Sequence, residues 1–512
     1  MFKYSYSFTY RTIFAFSIMM SLILVLIMPS KAVTNVDTLG TEEHICSTLQ
    51  SNLELTSDEL QNLCNYINND IYIETNLISD ARICGTYANM LIDYYYDQYS
   101  QSSISKVPSY LSKAKTAVQS MLIDSRSVST NYYVVSPEGR FIVYYDQTSN
   151  PSESRTKAHT LAAIFDEVHD IYCNEYGFEA PTTDGVNYEV HIINGMGACG
   201  LTQPTGSAGI TSYIQIQQGI LDDYMLNNDD AFVKGTAAHE YMHAIMFAYG
   251  IPYQSSVLDA MFAHESMGRA VGIEYEISYA SHYDIRNKIE YFINHLDIPL
   301  GTGTSGEYIY GGSLLFLFTL EEEGDWSIMK DTFENYDSSY TMFENMDFVL
   351  RYCGYSTSFA VMYKHFMACN VSPDHMYYSS PYNRGINNAS WGQPTPKITH
   401  KILSTNAYFT GSGTLQPLSS DFIRINNLTS ISKLIVVNVN YSYTGNGVPE
   451  GVFMIYNAIT DTYTYSGNLV VDDNLYGTFR IVSNGNGVLW LAICNAGFEG
   501  EISYSYTITA SS

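Results

Sequence analysis

The segment from Ala231 to Phe247 places two histidines, His239 and His243, four residues apart in an apolar stretch without proline. A helix turns about 100° per residue, so the two imidazoles lie about 40° apart around the axis and one turn apart along it. Side chains on one face can share a metal ion, and zinc prefers such nitrogen ligands. Glu240 lies beside that position, where a carboxylate can take a proton from a zinc-activated water. The segment therefore predicts a helix with two metal ligands and a general base.

A catalytic zinc site needs a third protein ligand and leaves one position for water. A second predicted helix downstream offers three candidates, Asp259, His264 and Glu265, and spacing alone does not choose among them. A metzincin would require Gly at position 246 and His at position 249. This chain has Met246 and Tyr249 there, so that subtype is excluded.

A His-Glu-x-x-His helix followed by a second helix that carries a glutamate resembles the gluzincins, the thermolysin-like clan of zinc metallopeptidases. The resemblance implies one catalytic Zn²⁺ held by His239, His243 and Glu265, with Glu240 as general base. The chain departs from the clan at Phe262, where Trp is usual, and after Glu265, where Ser-Met replaces Gly-x. These departures do not affect the ligands themselves.

The similarity to gluzincins extends over roughly residues 131–370. Tyr310-Gly-Gly resembles a helix of the clan in which a tyrosine donates to the developing oxyanion, which makes Tyr310 the candidate and Tyr308 the reserve. Ser212–Ile216 resembles the edge strand that pairs with extended substrate in the clan. The chain has no aminopeptidase-type Gly-x-Met-Glu-Asn before the zinc helix, which favours an endopeptidase.

The alternative interpretation is a secreted adhesion or binding protein in which the zincin scaffold is catalytically degenerate and the C-terminal region does the work. The two hypotheses differ in whether the mature chain cleaves peptides. Protein or peptide substrates are the partners of the first. A carbohydrate or cell-surface ligand of the C-terminal domain fits the second.

The N-terminus has the layout of a cleavable secretory signal. Lys3 and Arg11 precede an uncharged run from Ile13 to Met28, and Ser30-Lys31-Ala32 supplies a small-residue cleavage site. The run is shorter than the roughly 20 residues that span a bilayer, so a signal anchor is the weaker alternative. We therefore expect a secreted protein, in which disulfides among the eight cysteines are plausible but unassigned.

Composition disfavours nucleic acid as a partner, and the pattern of residues along the chain indicates several folded domains. The chain of 512 residues has a formal net charge of −28, which disfavours nucleic acid. Its acidic pairs, such as Asp229-Asp230 and Asp472-Asp473, give only weak support for bound Ca²⁺. Helical periodicity up to about residue 129, alternating strands and helices after it, and short strands separated by Gly, Asn and Asp turns beyond residue 396 divide the sequence.

The predicted fold class is α+β, with a helical N-terminal region, a zincin-like catalytic domain in which a mixed sheet carries active-site helices, and a C-terminal all-β sandwich. The expected boundaries are a signal peptide at 1–32, the helical region at 33–130, which is also a candidate propeptide, the metallopeptidase domain at 131–385 and the β-sandwich at 395–512.

Overall fold

The computed structural model describes Tyr96, Ser112 and residues 132–511, apart from 148–149, 182, 184, 195–198, 206–209, 228–230, 252–257, 278–282, 303–305, 324, 372–395, 403–407, 429–432, 458–461, 472–474 and 484–486. The predicted signal peptide and both acidic pairs lie outside these residues. So does the N-terminal helical region, except that Tyr96 and Ser112 are helical.

The first part of the described chain forms a mixed five-stranded sheet. Its strands are β1 (Tyr133–Val135), β2 (Phe141–Tyr144), β3 (Tyr188–Ile193), β4 (Gly200–Thr205) and β5 (Thr211–Gln217). Their order is β1-β2-β3-β5-β4. β2, β3 and β5 run parallel to one another, whereas β1 and β4 pair antiparallel at the two edges.

Ten helices interleave with and follow this sheet in the described chain. They are α1 (Pro151–His169), which continues as a π-helical turn (Asp170–Glu175), α2 (Gln218–Asn227), α3 (Ala231–Ala248), α4 (Leu258–Ile277), α5 (Tyr283–Asn294), α6 (Gly306–Gly311), α7 (Ser313–Glu323), α8 (Ser327–Glu334), α9 (Met342–Tyr352) and α10 (Phe359–Asn370). Phe141 on β2 packs against Phe165 of α1 and Tyr241 of α3, so these helices cover one face of the sheet.

The remaining strands form two further five-stranded sheets. They are β6 (Ile398–Ile402), β7 (Tyr408–Leu415), β8 (Ser419–Leu428), β9 (Lys433–Tyr443), β10 (Pro449–Asn457), β11 (Thr462–Asn468), β12 (Val470–Val471), β13 (Tyr476–Ser483), β14 (Gly487–Asn495) and β15 (Ile502–Ser511). The orders are β11-β10-β14-β8-β6 and β12-β13-β9-β15-β7. Side chains of both sheets share a core, for example Leu491 of β14 with Val437 of β9.

Strand β14 is buried on both of its faces. Leu489, Leu491 and Ile493 belong to the core between the two C-terminal sheets, whereas Trp490 and Cys494 belong to the core of the helical part. A strand that is covered on both sides reads as a continuous apolar run. The helices and the β10-β14-β8 surface are therefore joined by packed side chains.

Backbone hydrogen bonds reinforce this junction. Ser420 N–H donates to the Leu296 carbonyl over 2.9 Å, and Leu300 N–H donates to the Leu418 carbonyl over 3.0 Å. Lys364 on α10 also pairs with Glu450 on β10 at 2.7 Å. The loop after α5 is thus tied to the start of β8.

At a coarse level the predicted combination of helices with mixed and C-terminal β-sheets is confirmed. One strand assignment is wrong. Ser212–Ile216 belongs to β5, which lies between β3 and β4, so it is an interior strand and β4 is the edge. Cys173, Cys353 and Cys494 are thiols, so disulfides do not extend to these three residues. Within the described residues, no helix has the length and apolar character needed to cross a bilayer.

Candidate metal centre

His239, His243 and Glu265 converge at one point between α3 and α4. Their ligand atoms all lie within 4.8 Å of one another. The two Nε2 atoms of the histidines are 3.0 Å apart, and the Glu265 carboxylate oxygens lie 3.3 Å from His239 Nε2 and 3.4 Å from His243 Nε2. The structure thus brings together the three residues that the gluzincin resemblance selects.

The other two candidates for the third ligand lie elsewhere. His264 Nδ1 faces His243 Nδ1 at 3.4 Å, on the side of the ring away from Glu265, and its Nε2 faces the Ile251 carbonyl at 3.4 Å. Burial lowers the pKa of His264 to about 4. Asp259 lies on α4, but its side chain is outside the described residues.

The donor set fits a zinc ion. Both carboxylate oxygens of the fully buried Glu265 lack a hydrogen-bond partner in the described structure. A buried carboxylate without donors is costly, and it faces two imidazole nitrogens that approach each other closely. Groups that direct lone pairs at one point repel one another unless a cation lies between them. Two nitrogens and one carboxylate are the ligand types of catalytic zinc sites.

The local charges perturb the two histidines in opposite directions. Burial disfavours the charged form of His239, but attraction to Glu265 and then Glu240 outweighs it, so the pKa of His239 is raised. Burial first, and then the neighbouring His239 and His264, hold the pKa of His243 well below its usual range. A carboxylate next to paired imidazoles therefore favours cation binding at this point.

Helix α4 approaches the histidines closely because it carries glycines on this side. A Cβ atom at Gly268 would lie 2.9 Å from His239 Nδ1, and one at Gly272 would lie 3.3 Å from the Gly235 carbonyl oxygen. Ser266 donates its hydroxyl proton to the Ile309 carbonyl and so links α4 to α6. These small residues set the distance between the two ligand-bearing helices.

Glu240 projects from the same helix toward β4. The Thr202 hydroxyl lies 2.7 Å from Glu240 Oε2 and 2.8 Å from the Glu240 carbonyl oxygen, and its single proton can be donated to one of them at a time. A Cβ atom at Gly200 would lie only 2.5 Å from Glu240 Cγ. The edge strand therefore holds the carboxylate in place, a contact that the sequence analysis missed.

The two candidate tyrosines have different surroundings. The ring centroid of Tyr310 lies 6.1 Å from that of His239, one of the candidate ligands. Lys288 Nζ lies 4.9 Å from the Tyr310 ring centroid. Tyr308 donates its hydroxyl proton to the Ile298 carbonyl over 3.0 Å, and burial raises its pKa above the usual range. Tyr310 thus contacts one of the candidate ligands, whereas the Tyr308 hydroxyl is engaged by a backbone carbonyl.

No family model and no curated protein matches this sequence. The solved structures with detectable similarity include PliG of Aeromonas hydrophila, a periplasmic inhibitor of g-type lysozyme, at 11% identity over 22% of this chain and 97% of that chain, with a TM-score of 0.16. They also include the pre-peptidase C-terminal domain of a Bacillus anthracis collagenase, at 16% identity over 22% of this chain and 96% of that chain, with a TM-score of 0.16. Such low TM-scores identify neither fold nor activity.

Proposed function

We propose that this chain is a secreted zinc-dependent endopeptidase of gluzincin type, with a zincin-like catalytic fold. The observation that carries the proposal is the buried convergence of His239, His243 and the Glu265 carboxylate, whose oxygens lack a hydrogen-bond partner among the described residues. Glu240 on the neighbouring helical position supports it, because a metal site with an adjacent carboxylate has the parts needed for hydrolysis.

Bound zinc would supply positive charge that polarises a peptide carbonyl and lowers the pKa of a coordinated water. Glu240 takes a proton from the attacking water and passes it to the leaving amine. The hydroxyl of Thr202 lies 2.7 Å from Oε2 of Glu240 and so holds the carboxylate in position for this proton transfer. Tyr310 acts as a neutral donor toward the carbonyl oxygen as negative charge develops there.

Strand β4 is the proposed site of substrate pairing. Among the described strands it has a neighbour on one side only, β5. An extended peptide could pair with its outer side through backbone hydrogen bonds, which gives affinity with little sequence preference. Glu240 contacts both Gly200 and Thr202, so a peptide on this strand would pass the general base.

The proposal is tested with two variants that make the same chemical change at neighbouring sites. Glu240→Gln and Glu265→Gln each replace a buried carboxylate by an amide of the same shape. We expect Glu240→Gln to bind one zinc ion per chain and cleave nothing in a mixed peptide library. We expect Glu265→Gln to lose zinc.

The mature wild-type chain, expressed from residue 33, should bind zinc and cleave internal bonds in the same library. Cleavage that survives in Glu240→Gln would contradict the assigned role of that residue. Bound zinc with no cleavage by the wild type, with or without residues 33–130, would instead favour the adhesion or binding protein.

A further inference from the structure

A third histidine, His264, lies beside the three candidate ligands His239, His243 and Glu265 but is not one of them. His264 is completely buried, and its two ring nitrogens face different partners: Nδ1 faces His243 Nδ1, and Nε2 faces the Ile251 carbonyl oxygen, each at 3.4 Å. Neither of these two partners is a carboxylate, and a neutral imidazole carries one N–H and one lone pair to share between them. The two partners decide which nitrogen carries the proton.

A carbonyl oxygen can only accept a hydrogen bond. The nitrogen of His264 that faces Ile251 must therefore carry the proton if this contact is a hydrogen bond, which places the N–H on Nε2. The lone pair of His264 then lies on Nδ1 and faces His243 Nδ1. For that second contact to be a hydrogen bond, His243 must carry its proton on Nδ1.

We propose that His264 is a positioning residue that fixes the tautomer and ring orientation of His243, so that the Nε2 lone pair of His243 points at the metal position. The inference rests on the proposed function only for the identity of the metal. It extends a general rule, that a metal-bound histidine donates its other N–H to a neighbouring acceptor, to an acceptor that is itself a histidine.

The packing around His264 keeps its ring in place. The ring of Phe247, one turn beyond His243 on α3, lies 5.0 Å from the His264 ring centroid at 40°. Ile251 is held by the end of the same helix: its N–H donates to the Met246 carbonyl over 3.1 Å, and Gly250 N–H donates to the Phe247 carbonyl over 2.8 Å. This pair of bonds forms a Schellman motif, with Gly250 at φ +73°.

The helix that carries His243 thus also supplies the carbonyl that orients His264. The sequence from His243 to Ile251 and the His264 ring on α4 form one closed set of contacts. The N–H of Ile251 is held by the helix end, so the helix places the residue that offers the carbonyl to His264. We therefore expect both tautomers to be present in the metal-free protein.

The first test measures the tautomers directly in metal-free wild-type protein labelled with ¹⁵N-histidine, with assignments from single histidine variants. We expect His264 to be protonated at Nε2 and His243 at Nδ1. A proton on Nδ1 of His264 would overturn the proposal. This result is independent of whether the chain binds zinc or cleaves peptides.

The second test compares zinc affinity, measured by competition with a chromophoric chelator, in His264→Phe and His264→Asn. Phenylalanine keeps a buried ring but has no acceptor, and we expect zinc binding about 10–100-fold weaker, the usual effect of removing such a partner. Asparagine places an amide oxygen near the position of Nδ1, so its affinity should stay near that of the wild type. Equal zinc affinity in the phenylalanine variant would overturn the proposal.

Discussion

The Thr202 hydroxyl lies 2.7 Å from Glu240 Oε2, so an edge-strand side chain reaches the carboxylate that we propose as general base. Thr202 is completely buried and Glu240 is 1% exposed, so bulk water has little access to this contact. A hydrogen bond to a charged acceptor in such a place fixes the direction of the carboxylate as well as stabilising it.

Replacing Thr202 by valine should slow hydrolysis without loss of zinc. Valine has the shape of threonine but cannot donate, and a hydrogen bond to a charged group contributes about 1.5–3 kcal/mol, which corresponds to about 10–150-fold in kcat. Steady-state kinetics with a cleaved library peptide measure the effect. Thr202→Ser keeps the hydroxyl and should retain most activity, and a valine variant as active as the serine variant would contradict this role.

Replacing Gly268 by alanine should weaken zinc binding. The new Cβ atom would lie 2.9 Å from His239 Nδ1, so α4 or the imidazole must move. Gly272→Ala is the control, because it makes the same change one turn along, where the nearest atom is the Gly235 carbonyl oxygen. Both variants gain about 1 kcal/mol of helix propensity. We expect chelator competition to show at least about tenfold weaker zinc binding for Gly268→Ala than for Gly272→Ala.

Replacing Glu265 by glutamine should raise the stability of the metal-free protein while abolishing the stabilisation by zinc. The amide removes a buried charge whose oxygens lack hydrogen-bond partners among the described residues. Ligand binding to the folded state raises its stability, so the wild-type melting temperature should rise when zinc is added after chelator treatment. An equal zinc-dependent rise in the variant would show that Glu265 is not a ligand.

Acid should destabilise the metal-free protein partly through His169. Burial, and then the nearby Arg140 charge, lower the pKa of this half-buried histidine, which lies 2.6 Å from the Tyr241 hydroxyl. The unfolded chain therefore binds the proton more readily, and this stability is lost as pH falls below about 6.5. Urea unfolding at about pH 7.5 and 5.5 should show a smaller loss for His169→Asn, and equal losses would contradict the assignment.

The two halves of the described chain should unfold together. Trp490→Ala removes a large side chain from the core that the helices share with β14, and such changes cost about 3–5 kcal/mol. Circular dichroism and zinc release should report the same transition, shifted equally by the substitution. Separate transitions, with only the β-rich signal shifted, would show two independent units.

Much of the candidate metal centre follows from local spacing. His239 and His243 are close because a single helix turn separates them, and that periodicity is visible in the sequence. The approach of Glu265 depends on how two helices pack. Sequence spacing does not predict this packing, so it left three candidates for the third ligand. Gly268 and Gly272 permit this approach. Their four-residue spacing can be read from the sequence, but the helix against which they pack cannot.

The position of β4 could not be read from apolar alternation. Its segment, Gly200–Thr205, contains one large aliphatic residue, Leu201, within a stretch rich in Gly, Ser and Thr. Its burial comes from pairing with β5 and from contact with Glu240. Pro204 is the one local signal, because proline is confined in sheets to edges, strand starts and bulges. For β14 the signal was plain, since Val488–Ile493 is uninterrupted apolar sequence.

The double burial of β14 limits the modularity of this protein. A domain that can be exchanged between proteins has a polar surface and an exposed linker. In this chain the face of the β10-β14-β8 sheet that points toward the helices is apolar and buried. Grafting the β region onto another protein would carry Trp490 and Phe422 into water unless α10 and the loop after α5 came with it. Separating the two parts would therefore expose apolar surface on both of them, and a recombinant that divides them would need polar replacements on each.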